Sequence, residues 1–291
     1  MSIAVIVNPV SGGVRPRQAR ERVELASAVV ATIGEPFKVA VTSRRGHARE
    51  LAAAAVLDGA RLVVVWGGDG TVNEAASAIA GSPTCVAMVR GGSGNGLARE
   101  LGVQRDPRRA LLDAIQALPH AIDVGELGGR LFFNVAGIGF DAQVAARFDR
   151  DATRRRGFLT YARAAAVEVW MYSCANYRID GIEHRRVLLT TVANTSQFGN
   201  GARIAPLARP DDGRLDLVVF KESSRVATIC GLPRLFVGGL TRLKGFSVRR
   251  IERATIESDC AMLFHVDGEP VQGGTCLEAV VHPRALNVCV R

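Results

Sequence analysis

The sequence predicts an α/β domain over residues 1–120 and a β-rich domain over 121–291. Two observations carry this. Strand-like and helix-like segments alternate through the first part, which implies a mostly parallel sheet covered by helices. After Pro119 short β-like runs separated by turn signals replace the long helical patterns. A third observation locates a site: Leu62-Val63-Val64-Val65-Trp66 runs straight into Gly67-Gly68-Asp69-Gly70-Thr71, a buried strand ending in a glycine-rich turn that carries a carboxylate.

The elements follow in order. Ile3–Asn8 reads as a strand, and Ala19, Val23, Ala26, Val30 and Ile33 share one face of a helix. Phe37–Thr42 is the next strand, His47–Leu57 a second helix, and Leu62–Trp66 a third strand. A helix over Thr71–Ala80 and a short strand at Cys85–Val89 complete the alternation. Ile122–Leu127 and Arg130–Val135 flank Gly128-Gly129, a two-residue hairpin signal. Further strands are expected at Val187–Ala193, Leu215–Phe220, Met262–Val266, Leu277–Val281 and Leu286–Val290, with helices near Tyr161–Met171 and Val226–Val237. A substrate is expected in the cleft between two such domains.

With 291 residues and 48% hydrophobic content, the chain can bury a core large enough for two domains. No apolar run reaches the roughly 18 residues of a membrane span, and Met1–Gly13 reads as strand and loop without a charged start or cleavage site. A cytoplasmic protein is the expectation. The six cysteines are scattered without a CxxC pair, which excludes a zinc cage or disulfide framework, and the five histidines lack metal-ligand spacing. A formal charge of +9 favours anionic partners. Aromatics, at 5%, are not interleaved with the basic clusters, so nucleic acid is not expected as a partner.

In parallel sheets ligands bind beyond the carboxyl ends of the strands. Polar or glycine-rich loops follow three of them: Asn8–Gly13, Gly67–Thr71 and Gly91–Gly96. Glycines let backbone amides approach a polyphosphate, and the start of the helix after Gly70 adds a positive dipole end. Asp69 then either holds magnesium or takes a proton. Gly91–Gly96 opens a helix at Leu97 but lacks the lysine of a P-loop and the spacing of a dinucleotide fingerprint.

Taken together, NPVSGG at Asn8–Gly13, GGDGTVNE at Gly67–Glu74 and GSGNGLAR at Gly92–Arg99 resemble the catalytic domain of the diacylglycerol kinase and sphingosine kinase family. Asp123 in AIDVG, NVAGIGFD at Asn134–Asp141, PDDGRLDL at Pro210–Leu217 and Asp267-Gly268-Glu269-Pro270 extend the resemblance over nearly the whole chain. It implies a Rossmann-like nucleotide domain, a carboxy-terminal β-sandwich, and transfer of the ATP γ-phosphate to a lipid hydroxyl with magnesium.

By this resemblance the ATP contacts fall on Asn8, Pro9, Ser11, Thr42, Gly67, Gly68, Asp69, Gly70, Thr71, Val72, Asn73, Glu74, Gly92, Ser93 and Asn95. Glu269 matches the proton acceptor, with Asp267 beside it. A lipid alcohol is a poor nucleophile and gains from a positioned base. Asp141 falls near the substrate head group, where a carboxylate can accept a hydrogen bond from a hydroxyl or pair with an amine; capping the helix that follows is its other reading. A structural metal site falls on Asp212 with the backbone carbonyls of Arg209 and Arg214, although a plain surface turn accounts for the same residues. Several bacterial diacylglycerol kinases have an aspartate where this chain has Gly96, as sphingosine kinases have a small residue. That departure leaves Asp69 and Asp123 to serve magnesium and leans toward the sphingosine kinase side.

Two basic clusters suit contact with an anionic inner membrane surface while a lipid is withdrawn. One is Arg147, Arg150, Arg154, Arg155, Arg156 and Arg163 with Phe148, Phe158, Leu159 and Tyr161; the other is Arg242, Lys244, Arg249 and Arg250. The expected protein is therefore cytoplasmic and peripheral to the inner membrane surface, and the sequence leaves the oligomeric state open, a homodimer included. Two rivals stand beside a lipid kinase. NAD kinases share the GGDG turn and act on a soluble substrate, and a non-catalytic nucleotide- or lipid-binding regulator would keep the fold without turnover.

Overall fold

Isoleucine and valine fill the first strand, β1 (Ser2–Val7), as suits a strand covered on both faces. The computed structural model describes residues 2–13, 15–150, 172–199, 201–222, 224 and 243–291. The helices expected near Tyr161–Met171 and Val226–Val237 lie outside these residues. The chain divides into two compact units, Met1–Ile122 with Arg284–Arg291, and Asp123–Pro283.

In the first unit, β1 is followed by α1 (Pro16–Ala31), β2 (Phe37–Val41), α2 (His47–Leu57), β3 (Ala60–Gly67), α3 (Asp69–Ile79), β4 (Cys85–Arg90), α4 (Gly96–Glu100) and α5 (Pro107–Gln116). The strands lie in the order β2-β1-β3-β4, all parallel, with Val5 opposite both Val39 and Val64. Leu62, Val63, Val64 and Val65 are all fully buried, as both faces of β3 are covered. α1 packs with α5, and α2 with α3. Sequence periodicity misses α5, although its signal is local: Asp106 accepts the Arg109 amide at 2.8 Å and Pro107 occupies the first helical position. α3 starts at Asp69, two residues before the expected Thr71, which brings the carboxylate into the first helical turn.

The second unit begins within β5 (His120–Leu127), followed by β6 (Arg130–Phe132), β7 (Val135–Gly139), α6 (Phe140–Arg150), β8 (Ala175–Ile179), β9 (Ile182–Ala193), β10 (Gln197–Gly199) and β11 (Ala202–Arg203). Then come β12 (Leu215–Lys221), β13 (Phe246–Ile251), β14 (Arg253–Glu257), β15 (Leu263–Val266), β16 (Glu269–Gln272) and β17 (Cys276–Val288). The turn between β5 and β6 has φ of 55° at Gly128 and 76° at Gly129, the paired positive values of a tight hairpin. One antiparallel run is β16-β15-β7-β9-β8-β14-β17, with β12 also beside β9 and β13 beside β12.

Alternation along these strands builds two hydrophobic layers. Phe132, Ile138, Val192, Leu217, Phe264 and Leu277 fill the interior of the sandwich. Val135, Val144, Leu189, Val218 and Phe220 form a second cluster, to which Phe140 from the first turn of α6 also belongs. The carboxy terminus differs from expectation: the two strands expected at Leu277–Val281 and Leu286–Val290 are one strand, β17. Its first half pairs with β14, and Val288 lies parallel to Val86 of β4. Residues from Arg284 onward thus belong with the first unit, which a sequence cut at residue 120 does not reveal.

Candidate active site

In the first unit the strand order reverses between β1 and β3, where the loops following neighbouring parallel strands diverge and leave a crevice for a ligand. The three expected loops gather here. Asn8 leaves β1 with its amide on the Trp66 carbonyl at 2.9 Å, and its Nδ2 donates to Thr71 Oγ1 at 2.8 Å. The Gly91 amide, after β4, donates to the Gly67 carbonyl at 2.9 Å. Contacts between loops are so close that side chains are excluded: a Cβ on Gly92 would stand 2.7 Å from the Gly68 Cα, and one on Gly12 would stand 2.5 Å from the Gly91 carbonyl oxygen. Gly92→Ala is expected to cost about 1–3 kcal/mol by forcing this backbone apart, read as a lowered urea midpoint.

Asp69 ties the loops together. Its Oδ2 accepts the Asn95 amide at 2.8 Å and its Oδ1 accepts the Gly96 amide at 2.6 Å. Gly96 contributes its amide to Asp69. Asn95 sits at φ 50° and folds its side chain back on the Gly92 backbone, accepting at 2.9 Å and donating at 2.6 Å. Ser93 is exposed.

Other expected nucleotide contacts take different places. Val72 and Asn73 are buried, and Thr42 is 8% exposed with its amide on the Val7 carbonyl. Glu74 caps α2, accepting the amides of Gly46 at 2.8 Å and Ala48 at 3.2 Å. Gly68, Asp69 and Gly70 are partly exposed, and they are the part of the turn that a ligand can meet. Arg22, which has no motif around it, holds the first loop: NH1 donates to Ser11 Oγ at 2.8 Å and to the Asn8 carbonyl at 3.2 Å, and the guanidinium lies 5.7 Å from the Trp66 ring centre. Burial lowers the Arg22 pKa from its ordinary value.

In the second unit the Asp267-Gly268-Glu269 turn joins β15 to β16. The two acids have different duties. Asp267 Oδ2 accepts the Phe133 amide at 2.9 Å, while Oδ1 accepts those of Asn134 at 2.9 Å and Val135 at 3.1 Å. Its two oxygens gather the backbone donors at the start of β7. Asp267→Ala, which leaves three amides without this acceptor, is expected to lower stability by about 3–5 kcal/mol in urea unfolding, more than any surface substitution. Glu269 is half-buried at the first position of β16.

The remaining candidates also belong to this unit. Asp123 is fully buried and its Oδ2 accepts the Gly213 amide at 2.6 Å, so it holds the 211–213 turn. Asp212 accepts the Arg214 amide at 3.1 Å, and the positive group near its other oxygen is Arg250, at 3.7 Å. That guanidinium also lies 3.9 Å from the buried Asp216, whose pKa burial raises above the ordinary carboxylate value despite the opposing charge of Arg250. A metal at Asp212 with the carbonyls of Arg209 and Arg214 would compete with this arginine. Among the described residues no group of three or more His, Cys, Asp or Glu side chains could hold a metal ion. Magnesium needs fewer: it is commonly held through one or two carboxylates together with substrate phosphates, a set that Asp69 and a bound nucleotide fit.

Of the basic clusters, Arg154, Arg155, Arg156, Phe158, Leu159, Tyr161, Arg163 and Arg242 lie outside the described residues. Arg249 pairs with Asp180 and Arg250 with Asp212 and Asp216, so these two members of the second cluster are locally compensated. No helix of the described residues is long and apolar enough to cross a membrane.

A parallel α/β unit with glycine-rich loops at its switch point, followed along the chain by a β-sandwich, is the arrangement expected of a nucleotide-using enzyme. Residues 2–127 match the diacylglycerol kinase catalytic domain, and residues 134–290 match the YegS C-terminal NAD kinase β-sandwich-like domain. The chain belongs to this family of lipid kinases. A "Probable lipid kinase YegS-like" protein of Pseudomonas fluorescens is 31% identical over 273 residues, covering 92% of this chain and 90% of the relative. Its counterpart in Pseudomonas syringae pv. tomato is 32% identical over 260 residues, covering 88% and 84%. The fold is shared with the crystal structure of a "putative diacylglycerol kinase" from Bacillus anthracis, with a TM-score of 0.82 at 20% identity over 100% of this chain and 95% of that one.

Proposed function

We propose that this protein transfers the γ-phosphate of ATP to the hydroxyl of a lipid. The observation that carries the reading is Asp69, placed by α3 in the crevice of the parallel sheet and bonded to the amides of the facing glycine loop. Gly68–Gly70 and the start of α3 offer backbone donors and a positive dipole end to phosphates. Asp69 would hold magnesium, which supplies positive charge to the β- and γ-phosphates when bound with the nucleotide. Glu269 takes the proton of the lipid hydroxyl as its oxygen bonds to the γ-phosphorus; the bridging oxygen leaves with the electron pair, as ADP. Asp267 anchors the turn that presents Glu269. Asp141 accepts a hydrogen bond from the lipid head group. Withdrawal of the lipid at an anionic membrane surface belongs to the same reading.

A second reading, a kinase for a soluble acceptor, draws on the NAD kinase-like description of the matched carboxy-terminal domain. γ-Labelled ATP incubated with a lipid extract, diacylglycerols, ceramides, long-chain bases and, separately, NAD distinguishes them. Label entering a lipid is expected. Label entering only NAD would favour the soluble acceptor, and nucleotide binding without ATP consumption would favour a regulator.

A further inference from the structure

Three neighbouring strands of the second unit carry Thr191 (β9), Gly137 (β7) and His265 (β15) at one register. Residues paired this way project from the same face of a sheet. That face is turned away from the sandwich interior, because the flanking Val192, Ala136, Ile138, Phe264 and Val266 fill the interior. α6 packs on β7, β9 and β15. Gly137 leaves a gap in the row, and Asp141 of α6 occupies it: a Cβ on Gly137 would stand 1.9 Å from Asp141 Oδ2 and 2.8 Å from His265 Nε2.

Asp141 Oδ2 accepts the Thr191 hydroxyl at 3.0 Å and lies 3.6 Å from His265 Nε2, while Oδ1 accepts the Ala142 amide at 2.9 Å. On the other side of the ring, His265 Nδ1 accepts the Gly268 amide at 3.2 Å. An acceptor Nδ1 leaves the ring proton on Nε2, the atom that faces Asp141. Both residues are buried, at 4% and 5% exposure. Tyr172 and Tyr177 stand nearby, with hydroxyls 2.9 and 3.4 Å from where a Cβ of Gly139 would be, and burial holds both phenols protonated, Tyr177 pushed up to about 12.

The Gly268 amide belongs to the two-residue turn between the paired Val266 and Glu269, with φ of 48° at Asp267 and 87° at Gly268. Asp267 fixes the first residue of that turn and His265 its middle; Glu269 follows directly. We propose that His265 is a positioning residue: Nδ1 holds the Gly268 amide and so places the Glu269 carboxylate, while Nε2–H steadies Asp141, linking the proton acceptor to the group that meets the lipid. This rests on the lipid kinase reading above.

Two near-isosteric variants separate the hydrogen bond at Nδ1 from the 3.6 Å contact at Nε2. His265→Asn keeps an acceptor where Nδ1 lies but has no donor for Asp141; His265→Gln keeps the donor and loses the acceptor. In the asparagine variant kcat is expected within about twofold of the parent and lipid KM raised about fivefold. In the glutamine variant kcat is expected to fall about tenfold with little change in KM. Hydrogen exchange of the Gly268 amide, followed by NMR, should accelerate about tenfold in the glutamine variant only. Equal losses in both variants, or none in either, with Gly268 exchange alike in both, would overturn the proposal. A parent protein that labels no lipid would sink the kinase reading, and the Gly268 exchange rates would still decide the clamp.

Discussion

Glu269→Gln should reduce lipid phosphorylation by about 10²–10⁴-fold while the protein still melts near the parent temperature and still binds ATP. The substitution keeps the shape of the side chain and removes its charge and its ability to take a proton. Asp267 cannot substitute for it, because three backbone amides already draw on its two oxygens. The contrast with Asp267→Ala is the informative part: loss at 267 should appear in urea unfolding, and loss at 269 in kcat. If Glu269→Gln retained parental kcat in the γ-labelled ATP assay, another group would have to be the proton acceptor.

Asp69→Ala is expected to abolish detectable magnesium-ATP binding by calorimetry, an effect of at least about 100-fold. Two losses combine. The amides of Asn95 and Gly96 lose their acceptor, which releases the 91–96 loop at a cost of about 1–3 kcal/mol for each buried donor left unmet. The carboxylate that would hold magnesium disappears as well. Asp69→Asn separates them, since it keeps one acceptor oxygen and no charge: with one of the two amides left unmet its urea midpoint should fall about half as far as in Asp69→Ala, while its nucleotide binding no longer responds to magnesium. Parental magnesium dependence in that variant would restrict Asp69 to holding the loop.

Much of the first unit is legible in the chain. Period-two and period-3.6 patterns locate β1 to β4 and α1 to α3 because each buries one stripe or both faces against neighbours close in sequence. The hairpin at Gly128-Gly129 is equally plain, as its backbone conformation requires glycine-like residues. The second unit is harder. β8, β13 and β14 are mostly short, half-exposed segments whose partners lie far along the chain, as when Ile256 pairs with both Ile179 and Leu277. Nothing local marks such pairings.

The candidate site divides in the same way. Glycines, asparagines and acids of the loops are visible by type and order, and family resemblance supplies their expected duties. Their actual duties depend on which donors surround them. Glu74 reads as part of the ATP motif yet caps α2, and Asp123 reads as a magnesium ligand yet holds a turn from full burial. Arg22 has no motif to announce it, and His265, beside the Asp267-Gly268-Glu269 turn, is joined to Asp141 only by the packing of α6 on β15.

The sequence by itself determined the order of the elements, the glycine loops that must lack side chains, and the family. Those are properties of local conformation and residue type. Only the tertiary structure decided which of two adjacent acids is an anchor, that Gly96 contributes its amide to Asp69, and that Gly137 makes room for Asp141 beside His265. The physical reason is that a carboxylate's function follows from the donors and charges within a few ångströms of it, and those are brought there by contacts between residues distant in sequence.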